Sequence, residues 1–291
     1  MTFEPPERFN IADHLLDARI REGRGSRVAL VTDQRTWSYR DVQGMANRYG
    51  NLLREAGVMP EQRVIIALPD GPEFVAALFG ILKIGAVVVM VNPDLKPDAI
   101  SYFYQYTRAR VAVVHRDNRD AFEEARADAP LLGELLVAGS ETLERRLEAQ
   151  SLELETFPSH RDDACIWLFS GGTTGHPKGA MLTHLNIVHS VLHFQACMKL
   201  GGGEVSALAV PASHVTGLIA VIAVMLHVGG TVVIVPEFKA GPFVELLERV
   251  RAYLDARRSP LAELALVGPE YVRVDVSVEL AAVSLDAAAA L

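Results

Sequence analysis

The sequence contains little cysteine and no excess of basic residues. Cys165 and Cys197 are the two cysteines among 291 residues, which excludes a disulfide framework and favours a reducing compartment. Lysine and arginine total 28 against 36 aspartates and glutamates, so the formal net charge is −8. Because nucleic acids and anionic membrane surfaces attract clustered basic side chains, this balance argues against both as partners.

The start of the sequence also lacks the pattern of a signal peptide. The first ten residues, MTFEPPERFN, contain no basic segment followed by an apolar one. Hydrophobic residues make up 50% of the chain and charged residues 22%, which is an ordinary globular composition. We therefore expect a cytoplasmic protein with one large domain or two smaller ones.

One long uncharged stretch has two interpretations. Residues 205–235 carry no formal charge, and 217–235 is long enough to span a bilayer. However, Pro211 and the pair Gly229-Gly230 interrupt the stretch, and acidic rather than basic residues flank it. Buried parallel strands with a covering helix also give near-continuous apolar runs. We therefore predict a strand at 205–210, a helix at 215–228 and a strand at 231–235, with no transmembrane segment.

Strand-like and helix-like segments alternate along most of the chain. Strands that alternate with helices of about ten to fifteen residues indicate βαβ units, so we predict an α/β fold with mostly parallel sheets and flanking helices. The predicted strands are 63–68, 86–91, 110–115 and 164–169, and the predicted helices are 40–56, 72–84, 97–107, 118–127 and 183–198.

The chain divides into three predicted regions. A polar stretch at 139–163 is predicted to form a surface helix and a linker, which separates an N-terminal α/β subdomain at 8–160 from a second α/β subdomain at 161–250. The pattern then changes, because residues 272–280 alternate strictly between apolar and polar, as in a half-solvated antiparallel strand. Residues 251–291 are therefore expected to form an atypical, β-type tail.

The strongest chemical signal is the segment SGGTTGHPKG at 170–179. It follows the predicted strand 164–169 and leads towards a helix that begins near Thr183. Its glycines let backbone N–H groups approach an anion closely, its threonine hydroxyls can donate to phosphate oxygens or ligate magnesium, and Lys178 adds a positive charge. It is not a Walker A loop, because Gly179 stands where that motif requires serine or threonine. The segment predicts a phosphate-binding loop; the alternative is a flexible connection.

These ten residues resemble the phosphate-binding loop of the AMP-forming acyl- and aryl-CoA synthetases, which belong to the adenylate-forming enzyme superfamily. Three other segments resemble the same family in the same order. They are TWSY at 36–39 with the helix after it, residues 68–95 with their Asn-Pro turn, and residues 209–217 with the pattern Pro-x-x-His-x-x-Gly. The resemblance covers about residues 8–250 and is greatest to benzoate-type aryl-CoA ligases.

The resemblance implies an AMP-forming carboxylate–CoA ligase, which adenylates an aryl or fatty acid with ATP and then forms a thioester. ATP, Mg²⁺ and coenzyme A are implied with it. His214 falls where the family places a residue of the carboxylate-substrate pocket; the alternative is a buried core histidine. The implied ATP-binding residues are Ser170, Gly171, Gly172, Thr173, Thr174, Gly175 and Lys178, although the family usually has serine in place of Gly171.

The later motifs of the family are not found in this sequence. No Thr-Glu pair follows Thr183, and Lys199 and Lys239, the lysines after Lys178, lie in no matching segment. The catalytic residues are therefore unknown. We expect the truncated N-terminal part of a synthetase, an incomplete large domain joined to an unrelated tail. A sheet that lacks its later strands leaves an edge and an apolar face uncovered, so marginal stability or self-association is predicted.

Two other classes of function stay open. One is a nucleotide-binding remnant without turnover. The other is a structural or interaction protein, since the tail faintly resembles β-rich segments of phage-tail baseplate proteins. A metal site is not expected: His189 and His193 stand four residues apart, but Ser190 replaces the glutamate of the H-E-x-x-H pattern, and His184 lies on another helical face.

Overall fold

The computed structural model describes residues 3–170 and 177–235 as two β-sheets with helices packed against them. The strands are β1 (Val28–Val31), β2 (Thr36–Ser38), β3 (Arg63–Ala67), β4 (Val87–Met90), β5 (Val111–His115), β6 (Glu134–Ala138), β7 (Ala164–Ser170), β8 (Lys178–Thr183), β9 (Val205–Leu208) and β10 (Thr231–Ile234). The α-helices are α1 (Tyr39–Glu55), α2 (Pro72–Lys83), α3 (Pro97–Thr107), α4 (Arg119–Glu124), α5 (Glu141–Glu148), α6 (His184–Met198) and α7 (Val224–Val228). Further 3₁₀ or π-helical segments are Asp13–Asp17, Ile20–Arg24, Arg116–Asn118, Ala125–Asp128 and Thr216–Ala223.

The strands form one sheet of order β2-β1-β10-β9 and a larger one of order β6-β5-β3-β4-β7-β8. Within the described ranges, antiparallel pairing is confined to β1–β2 and β7–β8, and the other neighbouring strands run parallel. The prediction of an α/β fold with mostly parallel sheets is therefore confirmed. Each sheet combines strands from both sides of residue 160, so a boundary there would cross both sheets. The subdomains 8–160 and 161–250 stay a prediction.

Several strands were not predicted from the sequence. They are β1, β2, β6 and β8. The last of these lies between the glycine-rich segment and the helix predicted to begin near Thr183. Lys178–Thr183 forms a strand that pairs with β7, and α6 then begins at His184. KGAMLT has little strand propensity of its own, so pairing with the preceding strand decides its conformation.

The uncharged stretch forms the predicted strand, helix and strand. These are β9, the helical residues Thr216–Ala223 continued by α7, and β10. In the part of the chain that the structure describes, no helix is long and apolar enough to cross a membrane. Residues 251–291, including the alternating segment 272–280, lie outside the described residues. Self-association also stays a prediction, although β8 is the outermost described strand of its sheet and Met181 on it is 63% exposed.

The larger sheet is buried on both faces. Val64, Ile66 and Val88 point to the side covered by α1 and α2, whereas Ile65 and Val89 point to the side covered by α3 and α4. Burial on both faces explains why these strands are continuous apolar runs instead of alternating with polar residues.

The helices α1 and α2 approach each other closely through Gly50 and Gly80. A Cβ atom on Gly80 would lie 2.7 Å from the Cβ of Tyr49 and 2.8 Å from the carbonyl oxygen of Ala46. Glycine inside a helix costs about 1 kcal/mol relative to alanine, and close helix packing offsets that cost here. Since α1 also contacts β1 and β2 while α2 contacts β3 and β4, the helix pair joins the two sheets.

One buried histidine, His184, and two partly buried ones, His14 and His227, connect the N-terminal segment to later elements. His14 Nε2 lies 3.0 Å from His227 Nδ1, and the two rings stack with centroids 5.0 Å apart. His184 Nδ1 accepts the backbone N–H of Ile11 at 3.1 Å. Burial lowers the pKa of each of the three histidines to about 4, and the nearby charge of Arg19 lowers the pKa of His14 and His227 further.

We expect the free energy of unfolding to fall as the pH decreases from 6.5, the ordinary histidine pKa, towards about 4. In this window the unfolded chain binds protons that the folded histidines exclude, so stability is complete above the window and is lost within it. The loss approaches about 1.4 kcal/mol per pH unit for each such histidine. Urea unfolding followed between pH 7 and pH 5 measures it. His227→Gln should reduce the slope and the exposed His193→Gln should not; a stability independent of pH would contradict the prediction.

Candidate functional site

The carboxyl ends of three strands meet at one edge of the larger sheet. β4 pairs in parallel with both β3 and β7, so all three strands end on the same side. Residues 68–71 follow β3, residues 91–96 follow β4, and the glycine-rich segment follows β7. In open α/β sheets, ligands bind in the crevice outside the carboxyl ends of the strands. This edge is therefore the candidate site.

The glycine-rich segment begins and ends within a β-hairpin. Ser170 is the last residue of β7 and Lys178 the first residue of β8, and the two are paired across the hairpin. The Lys178 side chain is exposed. Gly171, Gly172, Thr173, Thr174 and Gly175 lie outside the described residues. The structure thus brings together the two ends of the predicted phosphate-binding loop, and the roles of its residues stay predictions.

A loop from the smaller sheet is attached to the same edge. It follows β9 and contains the Pro-x-x-His-x-x-Gly pattern. The backbone N–H of Ala212 in this loop donates to Asp70 Oδ1 at 2.8 Å, and Asp70 lies in the segment 68–71 that follows β3. Burial raises the pKa of Asp70, although the hydrogen bond from Ala212 acts in the opposite direction. One carboxylate therefore ties the loop that carries His214 to the carboxyl edge of the larger sheet.

His214 is exposed, so the alternative of a buried core histidine is wrong. Its Nδ1 accepts the backbone N–H of Thr216 at 3.2 Å. A neutral ring with an accepting Nδ1 carries its proton on Nε2, and the ring therefore offers an N–H donor to a ligand. Its backbone is also fixed, since its N–H donates to the Pro211 carbonyl at 3.0 Å and its carbonyl accepts from Leu218 at 2.9 Å.

Gly217 allows this turn to close. A Cβ atom at this position would lie 2.3 Å from the carbonyl oxygen of Pro211, which is the acceptor for the His214 N–H. No side chain longer than hydrogen fits without moving that carbonyl. The glycine of the pattern is thus explained by close backbone approach.

We expect Gly217→Ala to displace the Pro211–His214 turn and to destabilise the protein by about 1–3 kcal/mol, the usual cost of overpacking. Gly201→Ala is the matched control, because a Cβ there would meet no atom within 4 Å. Urea unfolding of both variants measures the difference. Equal stabilities would show that the turn relaxes freely.

Asp70→Ala should release the loop, whereas Asp70→Asn keeps an oxygen that can accept from Ala212. We expect Asp70→Ala to lose about 1 kcal/mol of stability, the net contribution of one hydrogen bond. Hydrogen exchange at the Ala212 amide should become faster in Asp70→Ala than in Asp70→Asn. Unchanged exchange in Asp70→Ala would mean that the loop is held by other contacts.

Asp70 and Tyr102 were not predicted from the sequence. The Tyr102 hydroxyl donates to the carbonyl of Pro177, the residue before Lys178, at 2.9 Å. The Tyr102–Pro177 and Asp70–Ala212 hydrogen bonds each join residues far apart in sequence, and a single sequence carries no signal for such contacts. The position of Asp70, between a buried strand and the helix that begins at Pro72, was the one usable hint.

The structure does not bring the histidines of α6 into a metal site. His189 and His193 are exposed, whereas His184 is buried and accepts a hydrogen bond from the backbone N–H of Ile11. Within residues 3–170 and 177–235, no group of three or more His, Cys, Asp or Glu side chains could hold a metal ion.

Comparison with known proteins identifies the family. The sequence model described as "AMP-binding enzyme" matches residues 17–254, which is most of the chain. The chain belongs to the AMP-binding enzyme family. The four motifs that suggested this family all lie within the matched range.

The individual similarities point to CoA ligases of the AMP-binding family. A benzoate–CoA ligase of Thauera aromatica is 32% identical over 237 residues, which are 80% of this chain and 45% of that protein. The long-chain-fatty-acid–CoA ligase FadD13 of Mycobacterium tuberculosis is 25% identical over 85% of this chain and 49% of its own length. The crystal structure of the anthranilate CoA ligase AuaEII with anthranoyl-AMP superposes with a TM-score of 0.78 at 30% identity, covering 84% of this chain and 48% of that one.

These similarities confirm the resemblance to part of an aryl-CoA ligase at the level of the family. The chain spans about half the length of the curated relatives it matches, 45% and 49% in the two cases above.

Proposed function

We propose that this chain carries the adenylation site of an AMP-forming carboxylate–CoA ligase. ATP binds at residues 170–178, and a carboxylic acid binds beside His214. The observation that carries the proposal is the Asp70–Ala212 hydrogen bond of 2.8 Å, because it holds the loop with His214 at the edge from which β7 enters the glycine-rich segment. Family membership supports this assignment.

In the first step, a carboxylate oxygen attacks the α-phosphorus of ATP, the bond to pyrophosphate breaks, and an acyl-adenylate forms. In the second, the thiol of coenzyme A attacks the acyl carbon and AMP leaves. The first step needs positioning and neutralisation of the departing pyrophosphate more than covalent help from the protein. The exposed ammonium of Lys178, at the end of the segment, supplies such a charge.

Mg²⁺ enters this proposal as the complex with ATP. The described residues offer no carboxylate cluster that would hold the ion on the protein alone. The hydroxyls of Thr173 and Thr174 are the donors of this segment that could complete its coordination, together with phosphate oxygens. Those two residues lie outside the described ranges, so their part is a prediction from the sequence.

We propose an aryl acid as the substrate. Two relatives that name aromatic acids, the benzoate and anthranilate ligases, are 32% and 30% identical to the chain, against 25% for the long-chain fatty-acid ligase. The N–H at His214 Nε2 can donate a hydrogen bond to the carboxylate of such an acid. A fatty acid is the second candidate.

Binding of ATP without turnover is the alternative function. The structural or interaction role rests on residues 251–291, which lie outside the described residues.

ATP–pyrophosphate exchange tests the proposal. With magnesium and a panel of benzoates and fatty acids, we expect exchange that depends on an aromatic acid. Lys178→Ala should reduce it by about 100-fold, the usual effect of removing one transition-state donor. Lys199→Ala, an exposed lysine outside the motif, is the control and should leave it unchanged.

Two results would change the assignment. A folded protein that binds ATP but exchanges no pyrophosphate would favour the remnant without turnover. A folded protein that binds no ATP would contradict both functions.

A further inference from the structure

Helix α3 packs against the hairpin that carries Lys178. The Tyr102 hydroxyl donates to the Pro177 carbonyl at 2.9 Å, across 75 residues of sequence. Pro177 is the first described residue after the glycine-rich segment, and Lys178 follows it. The bond therefore lies at the point where the segment returns to the sheet.

The phenol ring of Tyr102 is held by its neighbours. It stacks on Tyr106 with centroids 5.4 Å apart and meets the ring of Phe103 edge-on at 5.6 Å. Phe103 is buried, and both it and Tyr106 contact the ring of Phe169 on β7 edge-on, at 4.8 and 5.8 Å. Aromatic pairs in these geometries attract each other beyond the effect of burial alone, so the hydroxyl is pre-positioned.

The bond acts on a rigid unit that includes the backbone of Lys178. The carbonyl of Pro177 and the nitrogen of Lys178 share one peptide plane, because the peptide bond does not rotate freely. Fixing that oxygen therefore fixes the direction in which the chain enters Lys178. Proline also restricts its own φ angle, which leaves the peptide after it as the main freedom at this point.

We propose that Tyr102 is a positioning residue for Lys178, acting through the Pro177–Lys178 peptide and not by touching the nucleotide. This inference rests on the proposed function, in which Lys178 neutralises charge on the phosphates of ATP. Loss of the Tyr102 hydroxyl should weaken the interaction with ATP. It should leave the interaction with the carboxylic acid unchanged, since the loop with His214 is held separately by Asp70.

Tyr102→Phe tests this proposal, because it removes the hydroxyl and keeps the ring stack. Tyr104→Phe is the matched control: the same helix, the same substitution, and a hydroxyl that donates to the Phe122 carbonyl at 3.3 Å, away from the hairpin. Binding of MgATP is measured by calorimetry, and KM for ATP and for the acid by pyrophosphate exchange. We expect Tyr102→Phe to raise the Kd and KM for ATP about fivefold, the loss of one hydrogen bond. KM for the acid should stay constant, and Tyr104→Phe should behave as wild type towards ATP.

A double-mutant cycle separates positioning of Lys178 from a general effect. In a Lys178→Ala background, Tyr102→Phe should no longer weaken ATP binding, because the group that it positions is gone. An equal loss in both backgrounds would overturn the proposal, as would equal ATP affinities of Tyr102→Phe and Tyr104→Phe. If the wild type binds no ATP, the proposed function fails as well; if it binds ATP and Tyr102→Phe has no effect, only the role of Tyr102 fails.

Discussion

The close contact between α1 and α2 is the constraint on which the rest of the architecture depends. α1 contacts strands of the smaller sheet and α2 contacts strands of the larger sheet, so the distance between the helix axes affects the distance between the sheets. Gly50 and Gly80 allow backbone atoms of one helix to lie against the other. A side chain at Gly80 would push the layers apart, and the reach of Asp70 to the Ala212 amide depends on their separation. The geometry of the candidate site therefore depends on helix packing outside the site itself.

A buried ion pair fixes the N-terminal segment to this helix layer. Lys83, at the end of α2, donates to both oxygens of Asp17 at 2.7 and 2.8 Å, and Gln43 and Thr156 donate to the same carboxylate. Burial lowers the pKa of Lys83, and the charge of Asp17 opposes that shift. A buried pair of this kind is weak support for net stability but strongly disfavours other arrangements that would leave one charge unpaired. The pair holds the segment Asp13–Asp17, which also carries His14, against the end of α2.

The sequence predicts the local parts of this fold well and the long-range parts poorly. Pro97–Thr107 is a helix as predicted, and the predicted strand 63–68 appears as Arg63–Ala67, because proline at a helix start and a run of buried β-branched residues are local signals. β8 was missed because its conformation comes from pairing with β7. Likewise, the chemistry of the glycine-rich segment suggested Lys178 and the family resemblance suggested His214, but no local pattern could reveal that Tyr102 and Asp70 hold the backbone beside them. Whether His214 is buried or exposed could be learned from the structure alone.

The two parts of the candidate site, the loop with His214 and the hairpin with Lys178, are held by the same kind of hydrogen bond. In each, one polar side chain with a fixed position bonds to a backbone group: Asp70 to the Ala212 amide, and Tyr102 to the Pro177 carbonyl. Such bonds direct a loop without contributing to the core, so conservative replacements should alter ligand binding more than folding. The loop with His214 and the hairpin with Lys178 are anchored to different elements, the segment after β3 and the helix α3. Under the proposed function, this arrangement would let the affinity for one substrate change without a change in the affinity for the other.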